Sequence, residues 1–212
     1  MITEVIVGLV VAGIYLITEG IFHFIRKKVG KVPNLYGPDS TYEPTEYDKH
    51  LVGLSRELLH KYFPDGIEKT MGQLSPKDRV ELFKNLTAEV ADLFEIDITS
   101  LEFLNSNKIG PTTAGYYDRE TGKIAYNLDI LSGTDTELLK LIVGTIFHES
   151  RHALQYKAIT DENFNKFDDA KVIEWIKSFN MYIPAELDEY GYYYQPVEYD
   201  ARNFAFLITF DL

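Results

Sequence analysis

Cysteine is absent from this 212-residue chain, which removes disulfides, iron–sulfur clusters, thiolate zinc sites and cysteine nucleophiles. Any metal ion here must be held by His, Asp or Glu. Histidine is scarce too, five in all, so their spacing is informative. Positive charge is in deficit: 21 Lys and Arg against 33 Asp and Glu leave a net charge of -12. Such a surface repels phosphate backbones and argues against nucleic acid as a partner. Long apolar runs are missing except near the N-terminus, which excludes a multi-span membrane bundle, and 45% hydrophobic with 25% charged residues is ordinary globular composition. The length suits one compact domain with an appendage.

That appendage is residues 1–29. From Val5 to Ile17 the run VIVGLVVAGIYLI carries no charge, and GIFHFI resumes after Glu19 before the basic cluster Arg26, Lys27, Lys28 and Lys31. Residues 5–25 approach the ~20 needed to cross a bilayer core, with Glu19 and His23 as costly passengers. No basic residue precedes the run and no small-x-small site follows it, so a cleaved signal peptide is disfavoured. The expectation is an N-terminal hydrophobic helix serving as a membrane anchor, with the basic cluster holding the folded domain on the cytoplasmic side. The alternative is a buried or interfacial helix of a soluble cytoplasmic protein. Residues 30–44, with Gly30, Pro33, Gly37, Pro38 and Pro44, read as a linker, and the globular part spans 45–212.

Within that part, Leu51, Leu54, Leu58 and Leu59 recur at helical spacing from Glu46 to Tyr62 before Pro64 and Gly66 end the pattern. Ser75 and Pro76 signal an N-cap and first turn for a helix through Phe94. From Ile96 to Leu128 the texture is β-branched and aromatic, and TTAGYYDRETGKIAYNLDI reads as a hairpin turning at DRETG. Thr134 and Glu137, spaced as a capping box, open a helix through LLKLIVGTIFHESRHALQYKAI that is apolar almost all round up to Phe147 and so is expected to be buried. Asp161 to Phe179 reads as another helix, and Pro196 starts a last one through Phe210.

His148, Glu149, Ser150, Arg151 and His152 spell HExxH. On a helix, positions i and i+4 share a face, so both imidazoles reach one ion while Glu149 sits beside the open coordination position. This geometry suits zinc. A catalytic zinc site has three protein ligands, and the best third is Glu198 in QPVEYDARNFAF, at the start of a helix whose Ala201 and Ala205 allow close approach. Asp200 is expected beyond the ligands, accepting from an imidazole N–H. His23, His50 and His60 read as surface or linker residues.

HESRHALQ followed by a helix containing Glu198, Asp200 and Ala201 resembles the gluzincin-type zinc metallopeptidases, over roughly residues 100–212. The metzincin continuation is absent, since Gln155 and Ala158 stand where that pattern has Gly and a third His. The resemblance implies an α+β, mostly helical zincin-like domain with a small β-sheet or hairpin. It also implies that an edge strand ahead of the motif helix binds extended substrate by strand addition, and KIAYNL fills that place.

The residues imply hydrolysis of peptide bonds with zinc held by His148, His152 and Glu198, and with Glu149 as general base. A second oxyanion donor is expected from Tyr190, Tyr192, Tyr193 or Tyr194, with Tyr194 preferred and with Arg151, or no second donor, as the rivals. The expected partner is a peptide or protein substrate. Two rivals stand beside this reading: a non-catalytic, membrane-tethered interaction protein with a structural or vestigial zinc site, and a zinc hydrolase acting on a small amide or a cell-wall peptide.

Overall fold

The structure, a computed structural model, describes Asp39 and residues 41–210. The expected hydrophobic helix at 1–29 and most of the linker lie outside them. No helix among the described residues is long and apolar enough to cross a membrane.

The chain runs α1 (Glu46–Tyr62), α2 (Ile67–Gln73), α3 (Pro76–Leu93), β1 (Ser100–Leu104), α4 (Ser106–Ile109), β2 (Gly115–Asp118), β3 (Lys123–Asn127), α5 (Leu128–Ser132), α6 (Thr136–Thr160), α7 (Asp169–Asn180), α8 (Glu189–Tyr194) and α9 (Pro196–Thr209). It is a mostly helical α+β fold with one small sheet. Capping chemistry accounts for several starts. Thr45 and Asp48 close a reciprocal capping box on α1, and Ser75 caps α3 ahead of Pro76. The α6 cap is Asp135, whose carboxylate accepts from the N–H groups of Glu137 and Leu138. The expected Thr134–Glu137 box is therefore replaced by a stronger acidic cap one residue later. Similarly, α7 starts at Asp169 under an Asp168 cap, not at Asp161; the intervening residues form a loop whose Phe164 and Phe167 pack edge-on against Tyr47. The short helix α2 escaped the periodicity reading.

The sheet order is β1-β3-β2. The hairpin forms as expected, β2 antiparallel to β3 with Gly115 opposite Tyr126, and the Asp118 carboxylate holds its turn by accepting from Glu120 N and Thr121 N. However, β1 pairs with β3 in parallel, Ser100 opposite Lys123. KIAYN is thus the central strand, not the expected edge. Ile124, Ala125, Tyr126 and Asn127 are all buried, so both faces of this central strand are covered. The free edge nearer α6 is β2: a Cβ on Gly115 would lie 2.8 Å from Thr145 Cγ2.

Helix α6 crosses the centre of the core. Leu139, Ile142, Val143, Ile146, Phe147 and Leu154 are fully buried, among edge-to-face pairs such as Phe83–Tyr126 and Phe94–Phe204. Its first turns are less enclosed than expected, because Leu138 and Leu141 are 42% and 54% exposed. Helix α9 lies antiparallel along it: Gly144 approaches Thr209 at one end, and Gln155 bonds to Val197 O at the other. That pairing brings the start of α9 to the HExxH turn.

Candidate metal centre

His148 and His152 lie one turn apart on α6, and Glu198 lies in the first turn of α9. The two Nε2 atoms are 3.1 Å apart. Glu198 spans both rings, with Oε2 3.2 Å from His148 Nε2 and Oε1 3.3 Å from His152 Nε2. Ligand atoms at about 2.0–2.1 Å from a tetrahedral ion stand about 3.3 Å from one another, so the three groups have the mutual spacing of a metal-binding set. Among the described residues this is the group of His and acidic side chains that could hold an ion. These are the three side chains expected as ligands, and the fold brings them together.

The electrostatics are those of two buried carboxylates facing two imidazoles. Glu198 is buried, which alone would raise its pKa, yet the adjacent His152 and His148 hold it well below the carboxylate range. Burial would lower His152, but the Glu198 carboxylate outweighs it and pushes the imidazole up to about 9. Glu149 is buried and shifts upward, chiefly through desolvation, against the pull of His148 and His152. The main-chain N–H of Tyr117, on the free edge strand β2, faces this carboxylate. A buried carboxyl group with a raised pKa beside a metal-binding set is suited to taking and returning a proton.

The hydroxyls facing the centre are those of Tyr192, one of the four expected tyrosines, and of Tyr182, which was not among them. Tyr194 packs against Tyr190 and Tyr193 and lines a cavity with Tyr42, Lys171 and Tyr199. The hydroxyl at the centre belongs to Tyr182, which donates to Glu198 Oε1 at 2.7 Å; Tyr192, packed edge-on against it, faces the same carboxylate. Burial and the Glu198 charge push the Tyr182 phenol far above its ordinary value, so it remains a proton donor. The buried Gln195 side chain fixes its position, accepting from Ile183 N and donating to Ile183 O, both at 3.0 Å. Tyr182 sits in an irregular stretch ahead of α8, where no periodicity marks it.

Arg151 and Asp200 also take other places. Arg151 is fully buried, its guanidinium 4.5–5.4 Å from the ring centres of Phe167, Trp175 and Phe204. Its Nε and Nη2 donate to Asp200 at 2.7 and 3.2 Å. Its Nη1 lies 2.7 Å from Asp48 Oδ1, a close ionic contact outside hydrogen-bond alignment. Lys171 completes the cluster, 3.0 Å from Asp200 and 3.5 Å from Asp48. Two cations thus balance two carboxylates, and Arg151 cannot serve as an oxyanion donor. Asp200 likewise does not accept from an imidazole; its remaining donors are Tyr42 and Gln155. Gln155, three residues beyond His152 on the same helical face, was legible by its spacing. His50 and His60 are exposed on α1, and His23 lies outside the described residues. No family model, curated protein or solved structure matches this chain.

Proposed function

We propose that this chain is a zinc-dependent metallopeptidase with a zincin-like arrangement of its motif helix, edge strand and ligand helix. The observation that carries the reading is the mutual spacing of His148, His152 and Glu198, with the buried Glu149 next to it in the chain. Two imidazoles and one carboxylate suit zinc, and three protein ligands leave a position open. A zinc ion bound there supplies Lewis acidity, which acidifies water toward a pKa of about 7 and polarises a carbonyl.

The remaining work falls to the protein. Glu149 takes the proton of the attacking water and returns it to the leaving amine, the two halves of general base and general acid catalysis. Tyr182, held by Gln195 and kept protonated by its surroundings, redirects its one O–H from Glu198 to the oxygen that gains charge. The free edge of β2, not β3, offers unpaired main-chain groups to an extended peptide.

Digestion of a peptide library by the full zinc-loaded chain and by Glu149→Gln tests this reading. Cleavage that is lost in Glu149→Gln, with zinc retained, is expected. Equal cleavage by both would remove Glu149 from the chemistry, and none by either would turn the reading away from proteolysis, to a hydrolase of a small amide or cell-wall peptide or to a structural site in an interaction protein.

A further inference from the structure

We infer that Gln155 is a positioning residue of the metal centre: its amide holds His152 with the proton on Nδ1 and ties that ring to the backbone carrying Glu198. This rests on the metal-binding reading above. Gln155 is fully buried, so its amide must be satisfied within the protein. One end lies 3.0 Å from Val197 O and 2.8 Å from Asp200 Oδ2. A main-chain carbonyl accepts only, and the Asp200 carboxylate, flanked by Arg151 and Lys171, is ionised and also accepts only. That end is therefore the NH2 group, because the flipped amide would set oxygen against oxygen twice.

The orientation leaves Oε1 facing His152 Nδ1 at 2.9 Å. An amide oxygen cannot donate, so Nδ1 carries the proton, and in the neutral ring the lone pair falls on Nε2. Nε2 is the atom that faces His148 and Glu198. The same amide grips the carbonyl of Val197, the residue before Glu198, so one side chain sets the ring of one ligand and the approach of another from a different helix. Being uncharged, it transmits orientation from the Asp200–Arg151 cluster without adding charge at the imidazole.

Two measurements on the full chain test this. In the zinc-loaded wild type, two-bond 15N–1H correlation of the imidazole rings should show His152 protonated at Nδ1 and metal-bound at Nε2; a proton on Nε2 or coordination through Nδ1 overturns the inference. Zinc affinity by chelator competition should fall about 10–100-fold in Gln155→Leu. Gln155→Glu keeps an oxygen toward Nδ1 but loses both donors and faces Asp200 with like charge, so it should be less stable to urea than Gln155→Leu yet bind zinc more tightly. If affinity follows stability across the two variants, Gln155 is only a packing residue. If the wild type takes up no zinc, the metal-binding reading itself fails and this inference falls with it.

Discussion

Glu198 sets one carboxylate oxygen against each of two imidazoles, and His152 is the more buried of the two rings. Because this carboxylate pushes His152 up to about 9, the metal-free centre carries a proton at neutral pH that a metal ion must displace. Calorimetry of zinc binding at about pH 7.5, in buffers of different ionisation enthalpy, should report about one proton released per ion.

The same shift has a folding consequence of defined sign. A raised imidazole pKa stabilises the metal-free fold fully below the unfolded value of 6.5, and that stabilisation is lost as pH rises through about 9. Glu198, shifted the other way, contributes above the ordinary carboxylate pKa and loses its contribution as acid protonates it. In excess chelator, the unfolding temperature should decline between pH 6.5 and 9. A rise over that interval would contradict the assignment of the proton to the His152–Glu198 pair.

Removing the charge of the third ligand while keeping its shape is the sharpest probe of the metal set. Glu198→Gln should weaken zinc binding by more than about 100-fold, beyond the usual cost of losing an outer hydrogen-bond partner. Chelator competition measures it directly, and unchanged affinity would remove Glu198 from the ligand set.

Tyr182 and Tyr194 separate two assignments of the oxyanion donor. Tyr182→Phe deletes the hydroxyl 2.7 Å from Glu198 and should lower kcat about 10²–10³-fold with little change in KM. Tyr194→Phe, altered on a different cavity wall, should leave kcat unchanged. The opposite ranking would restore Tyr194.

Arg151 is predicted to act on stability. In Arg151→Met the buried Asp48 and Asp200 keep only Lys171 as a cation, and breaking a buried pair in this way costs about 3–5 kcal/mol. A urea midpoint measured with zinc absent should drop accordingly, whereas a shift below 1 kcal/mol would show that the cluster tolerates one uncompensated charge.

Some of this was legible locally. The bounds of α1 follow from leucine spacing and a Thr cap, and α9 begins at its proline. The two histidines share a face because four residues make about one helical turn. Other features depend on partners far away in the chain. The parallel pairing of β1 makes β3 central, and nothing within KIAYN distinguishes a central strand from an edge one. Likewise, Arg151, a rival oxyanion donor by sequence, is enclosed by carboxylates from α1 and α9 that lie far from it in the chain.

By itself, the sequence determined that any metal site must be built from imidazole and carboxylate, that two imidazoles lie on one helical face, and that an acidic residue opens the last helix. These follow from composition and from the fixed pitch of a helix. Only the tertiary structure decided that Glu198 meets both rings, that Tyr182 rather than Tyr194 reaches it, and that Gln155 stands between His152 and Asp200. Those contacts come from the antiparallel packing of α6 and α9, which local spacing does not encode.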